Sequence, residues 1–170
     1  MPRIAELVSK AANLTDMEFH EAMSTLFLTL RDKHTNYYIP GPYACYFAVI
    51  PFFFEFINSV DLKRLPSLAI KRFARFSKIL ELSGDDLQKV SIGDILLRVN
   101  GESFSSYYQK NKWMANGANE YGGMRSVADH MSSRSGLVNM MPAEDHMVFE
   151  LFSITNLRSY TVKFPVSFLH

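Results

Sequence analysis

An α+β fold is what this sequence predicts: a small N-terminal helical hairpin with an attached β segment, then a β-rich unit that also carries helices. Three observations predict it. Apolar residues recur at 3.6-residue spacing through the first thirty positions. An aromatic and β-branched run follows at Cys45 to Ile50. Near the C-terminus, Tyr160, Val162, Phe164 and Val166 alternate with Thr161, Lys163 and Pro165, as a sheet with one buried face requires.

Ile4, Leu7, Val8 and Ala11 line one face of a first helix ending near Asn13. Thr15-Asp-Met-Glu18 reads as a capping box, so a second helix starts there. Its stripe is Phe19, Ala22, Met23, Leu26, Phe27 and Leu30, and Arg31 and Lys33 suit the negative C-terminal end of the helix. Pro40-Gly-Pro42 marks a turn. Cys45 to Ile50 reads as a buried strand ended by Pro51, and Phe52 to Ile57 as another. A polar break places the boundary between two units between Asn58 and Pro66, dividing the chain into residues 1–60 and 61–170.

In the second unit, Gly93-Asp94 enters a short strand and Asn100-Gly101 leaves it by a tight turn. Ser103 or Ser105 caps a helix through Trp113. Asn116 to Gly123 is expected to be an exposed loop, followed by a short helix around Met124 to Met131. Met147 to Ser153 and Tyr160 to Val166 read as paired strands.

Composition narrows the function. The 170 residues carry eighteen Lys plus Arg against seventeen Asp plus Glu, a net charge of +1 that gives no global attraction to nucleic acid or an anionic membrane. The most apolar run, Tyr43 to Phe54, is far shorter than the ~20 residues of a spanning helix. No export signal is visible at Met1 to Glu6, although Asn13-Leu14-Thr15 is a glycosylation sequon that would matter in a secreted parent. A single cysteine, Cys45, excludes an internal disulfide framework, and its apolar neighbours suggest a small buried hydrophobe rather than a nucleophile.

Candidate chemistry is sparse. His34, in Leu30-Arg-Asp-Lys-His34-Thr35, sits where an amphipathic helix gives way to an extended segment. It is a candidate proton acceptor near pH 7. Spacing alone favours the plainer role of a polar helix end, because a lone histidine is no catalytic motif. His20-Glu21 lacks a second histidine at Ser24, and His130 and His146 lack partners at ligand spacing, so neither zinc nor any other cofactor is expected. Ser132-Ser-Arg-Ser-Gly136 lacks a nucleophile elbow and reads as loop or cap chemistry. Gly122-Gly123 is no phosphate loop. The basic stretch Lys63 to Lys78, with Phe73 and Phe76 interleaved, reads as a solvated face with its rings turned inward.

The string Leu30-Arg31-Asp32-x-His34-Thr35, followed by Tyr37-Tyr38 and Pro40, resembles the Asp-x-His-Thr segment of tail-specific, or C-terminal-processing, serine peptidases, in particular their chlamydial-protease-like branch. Val90-Ser-Ile-Gly93-Asp94-Ile-Leu-Leu-Arg-Val-Asn100-Gly101 resembles the core of the PDZ-like domain these enzymes carry. Together the two cover most of the chain in family order. The resemblance implies that His34 is the general base of a Ser-His-Glu arrangement and that residues 61–170 form a PDZ-like, partly open β-barrel with helices. In another branch, which uses a Ser-Lys dyad, His34 would be structural.

In the family the serine, its oxyanion hole and the acidic partner lie in a domain beyond the PDZ-like unit. The expectation is therefore an N-terminal part of a serine endopeptidase, inactive alone, whose partners are a polypeptide substrate and the missing catalytic domain, with self-association through exposed apolar surface. The alternative is a noncatalytic PDZ-like module that adds an extended peptide to a sheet edge. It lacks a Gly-Leu-Gly-Phe carboxylate loop.

Overall fold

Residues 2–57 and 67–170 are described by the computed structural model, which begins with the two helices that the periodicity predicts. α1 (Pro2–Lys10) runs into a 3-10 turn at Ala11–Asn13. Thr15 then caps α2 (Asp16–Leu28). Its Oγ1 accepts from the Glu18 N–H at 3.3 Å, while Glu18 Oε2 accepts from the Thr15 N–H at 2.8 Å. These reciprocal bonds satisfy donors that the first turn leaves open. α2 stops at Leu28 because Arg31 enters the left-handed region at φ 54°, and Leu30 leaves the expected stripe to stand 60% exposed. The rest of the stripe is half-buried, and the buried residues of α2 are His20 and Ser24. His20 faces the aromatic segment that follows, its ring centroid 5.8 Å from Tyr37 and 5.9 Å from Tyr43.

The strand expected at Cys45 to Ile50 is shorter. Tyr43–Cys45 closes a 3-10 turn in which the Cys45 N–H donates to the Pro42 carbonyl at 3.1 Å, and Cys45 is exposed, not buried. Only Phe47–Val49 is extended, as β1. The turn lies directly under Gly136, whose N–H donates to the Tyr46 carbonyl at 2.8 Å. A Cβ on that glycine would sit 2.0 Å from the Tyr43 carbonyl oxygen, so only glycine permits the approach.

β2 (Phe52–Ile57) and β3 (Ser67–Phe73) pair antiparallel with a bulge at Phe53/Phe54, on either side of the expected boundary. The boundary itself, Asn58 to Pro66, lies outside the described residues, as do Lys63 and Arg64. After α3 (Ser77–Leu82) comes β4 (Ile95–Val99). It leaves through Asn100 (φ 50°) and Gly101 (φ 79°), the two positive angles of a type I′ turn that the Asn-Gly pair predicts. Ser103 caps α4 (Phe104–Lys110), Oγ accepting from the Ser106 N–H at 3.2 Å, and a 3-10 turn follows at Lys112–Met114.

The loop expected over Asn116 to Gly123 is cut short. α5 (Glu120–Ser132) absorbs both of its adjacent glycines because Asn119 Oδ1 accepts from the Gly122 N–H at 2.8 Å and so caps the helix early. Ser133–Ser135 is then not a loop but β5, a short strand. β6 (His146–Ser153), β7 (Arg158–Pro165) and β8 (Ser167–Leu169) complete the chain, and β6 pairs with β7 along its full length as the alternation requires.

The strands form two open sheets, ordered β5-β1-β8 and β2-β3-β4-β6-β7, in an α+β architecture. Phe52, Phe54 and Phe56 alternate inward along β2, and Phe52 meets Phe149 of β6 and Phe164 of β7 edge-on at centroid distances of 5.2 and 5.3 Å. Such contacts add to the burial of three large rings. α5 covers this core with Met124, Val127, Ala128 and Met131. One core thus joins β1 and β2 to every later strand of the large sheet, and α5 packs on it.

Candidate functional site

The motif Asp32-x-His34-Thr35 folds as a side-chain-closed turn just beyond α2. Asp32 Oδ1 accepts from the His34 N–H at 3.0 Å, Oδ2 accepts from the Thr35 hydroxyl, and the Thr35 N–H donates to the Asp32 carbonyl at 3.2 Å. Aspartate followed by a hydroxyl residue at this spacing is ordinary turn chemistry. The Thr35 hydroxyl, and after it the His34 amide, hold the Asp32 carboxyl below the usual carboxylate range. The consequence for His34 is presentation. Its backbone is fixed while its side chain is exposed, with no hydrogen bond to the ring among the described residues.

Beside this turn lies a cleft of about 500 Å³ between the 33–36 chain, the 116–119 loop and α5. Lys33, Asn36, Asn116, Arg125, His130 and Asn139 contribute polar side chains to its wall. Asn116 Nδ2 donates to Asn36 Oδ1 at 2.9 Å, tying the loop to the turn, and the Asn116 N–H donates to Ser126 Oγ at 3.1 Å on α5. Arg125 Nε lies 3.9 Å from Asp129 Oδ2. Burial raises the Asp129 pKa, opposed by Arg125, Lys33 and Lys71.

His130, in the last turn of α5, is a half-buried part of the cleft wall. Burial, and after it the Arg134 cation, push its imidazole down to about 4, with the Met114 carbonyl opposing. The ring is therefore neutral near pH 7, with Asn139 Nδ2 at 3.3 Å from Nε2. Arg134 is itself buried. It donates from Nε to the His130 carbonyl at 3.1 Å and from a terminal nitrogen to the Tyr107 hydroxyl at 3.4 Å.

None of the other residues singled out in the sequence is hydrogen-bonded to His34 among the described residues. His20 Nδ1 is 2.9 Å from the Tyr37 hydroxyl in a buried aromatic contact. His146 is exposed at the start of β6. Ser132 is buried at the end of α5, while Ser135 Oγ accepts from the Leu137 N–H at 3.3 Å. In the basic stretch, Lys71 pairs with Glu55 at 3.1 Å and Arg72 covers the Phe53 ring at 3.8 Å. Phe73 turns toward the core as expected, but Phe76 is 51% exposed. Among the described residues no three His, Cys, Asp or Glu side chains come together as metal ligands, and no helix is long and apolar enough to cross a membrane. Sequence reading missed the cleft because its amides come from three separated segments. The cluster of asparagines at 116–119 was its one visible trace.

No family model matches the chain, and no curated protein matches it in sequence. Its fold does match solved structures of CPAF, the chlamydial protease-like activity factor. Mature CPAF complexed with lactacystin and mature CPAF each align with a TM-score of 0.71 at 11% identity, over 99% of this chain and 29% of theirs. A CPAF mutant aligns at 0.67 and 12% identity, over 93% of this chain and 26% of its own. The chain thus spans less than a third of the length of these proteins, and what it shares with that stretch is the fold.

Proposed function

We propose that this chain is the N-terminal part of a serine-type endopeptidase of the tail-specific kind, supplying His34 as general base, with a PDZ-like unit from residue 61 onward. The observation that carries the reading is the solvent-facing imidazole of His34 on a turn whose backbone Asp32 and Thr35 hold fixed. The likeness in fold to part of a protease supports it. In the intact enzyme the His34 ring takes the proton from a serine hydroxyl as that oxygen attacks the scissile carbonyl. It returns the proton to the amine that leaves, and water then releases the acyl group by the same route. On this reading the serine and the oxyanion hole lie in a further domain, and the chain by itself is expected to turn over no peptide.

The test joins this chain to a separately produced catalytic domain of the tail-specific class. Expected is labelling of that domain by a fluorophosphonate probe and cleavage of a casein substrate, both lost in His34→Ala, with no labelling of the chain by itself. Labelling of the chain alone overturns the claim that the nucleophile lies elsewhere. Cleavage that survives His34→Ala overturns the general-base assignment.

A second reading, a noncatalytic peptide-binding module, draws on one observation: β2 is an edge strand of the five-stranded sheet, the kind of position at which an extended peptide adds a strand. Saturable binding of extended peptides by the chain, without rescue of cleavage in the mixture, favours it.

A further inference from the structure

From the cleft beside the His34 turn, we infer a recognition subsite for an acidic side chain carried on a polypeptide, with Lys33 and Arg125 meeting the carboxylate and Asn116 the adjoining peptide N–H. This deepens the peptidase reading and rests on it only in taking the ligand to be a polypeptide.

The charge balance comes first. Lys33 and Arg125 against Asp129 leave one positive charge in excess on the cleft wall, and His130 adds none because it is neutral. Lys33 makes no ion pair among the described residues, and Arg125 makes only the long contact of 3.9 Å to Asp129. Both cations therefore keep donors for a ligand. A single excess charge suits a monoanion, whereas a phosphate dianion would meet the Asp129 carboxylate as well.

The second requirement is a donor. Asn116 Oδ1 is buried with no hydrogen-bond partner among the described residues, although its amide nitrogen is committed to Asn36. A buried acceptor without a donor is costly, which favours a turn of the Asn116 amide that brings Oδ1 to the cleft and to a ligand's N–H. A free carboxylic acid or inorganic anion brings none. A peptide with a Glu or Asp side chain brings both groups at once, and a cleft of about 500 Å³ has room for one such residue and its flanking peptide groups. Lys33 adjoins His34 in the chain, but the His34 side chain is not part of the cleft wall.

The test is a titration of the full chain, followed by amide NMR, with three peptides of one length. One is acetyl-Ala-Ala-Glu-Ala-Ala-amide, the second has Gln for Glu, and the third has Gln and a free C-terminal carboxylate. Expected are saturable shifts at Lys33, Asn116, Gly117 and Arg125 with the Glu peptide, and binding about tenfold weaker with the blocked Gln peptide, the scale of two partly exposed ion pairs. K33Q and R125Q each cut that preference to about threefold, and their dispersed spectra report folding independently. Equal affinity for the blocked Glu and Gln peptides overturns the subsite, as do shifts confined to another region. Tighter binding of the free C-terminus overturns the side-chain assignment, and saturable shifts at these residues with inorganic phosphate overturn the carboxylate assignment. His34→Ala leaves this binding unchanged, so loss of cleavage in that variant and loss of acid recognition here are separate results.

Discussion

The neutral imidazole of His130 makes the stability of this chain fall with acid in a window set by one residue. In the unfolded chain the ring titrates near its ordinary value of 6.5, and in the folded chain at about 4, chiefly because burial opposes the charged form and the Arg134 cation repels it. The unfolded state therefore binds the extra proton first. Above pH 6.5 the contribution is fully present; it is lost progressively between 6.5 and about 4, and nothing further is lost below that. The whole difference corresponds to about 3 kcal/mol, of which about 2 kcal/mol is gone by pH 5. Urea unfolding of the native chain and of His130→Gln at pH 7 and pH 5 measures it. Glutamine keeps a partner for Asn139 and does not titrate, so every other acid-sensitive group cancels in the comparison. The native chain should lose about 2 kcal/mol more than the variant over this interval. Parallel losses in the two proteins, or a His130 ring proton titrating near 6.5 by NMR, would refute the reasoning.

Gly136→Ala places a methyl 2.0 Å from the Tyr43 carbonyl oxygen, so the 43–46 turn must move; a loss of about 3 kcal/mol or more is expected in thermal unfolding. Arg31→Gly relieves a left-handed backbone at the end of α2, where glycine is the favoured residue, and should leave stability unchanged or raise it by up to ~1 kcal/mol in the same assay. Thr15→Ala removes the capping box of α2 and should cost about 1 kcal/mol, read by urea unfolding together with faster amide exchange at Glu18. Asp32→Ala removes the acceptors of the His34 N–H and the Thr35 hydroxyl; the His34 amide should then exchange at the rate of an open loop while global stability is held, and in the reconstituted enzyme cleavage should fall.

Where local chemistry decided the outcome, the sequence was legible. Thr15 and Glu18 specify the start of α2, Asn100-Gly101 the I′ turn, and the alternation at Tyr160 to Val166 the inner face of β7 and its pairing with β6. Errors arose where a distant segment intervened. Cys45 sits in an apolar run, yet it falls in a 3-10 turn packed against Gly136, ninety-odd residues away, and is exposed. Gly122 and Gly123 look like loop residues, and a single cap at Asn119 makes them helical. His130 looked like an isolated polar residue because neither its burial nor the approach of Arg134 and Asn139 is written in its neighbours along the chain.

The local geometry of the Asp32-x-His34-Thr35 turn also constrains how His34 works in the proposed enzyme. A general-base histidine needs a partner on its second ring nitrogen to fix its tautomer and steady the imidazolium that forms. Asp32 is the nearest carboxylate in sequence, but its two oxygens face the His34 main-chain N–H and the Thr35 hydroxyl, so it orients the backbone and not the ring. On the proposed reading, the ring orientation would come from an acid brought by the catalytic domain, together with the serine. On that reading an exposed ring, unbonded among the described residues, is open to both partners, whereas one engaged by Asp32 would have to break that bond first. In the proposed enzyme, docking of the second domain would be the step that brings both partners to the imidazole, so cleavage there would depend on the interface as well as on His34.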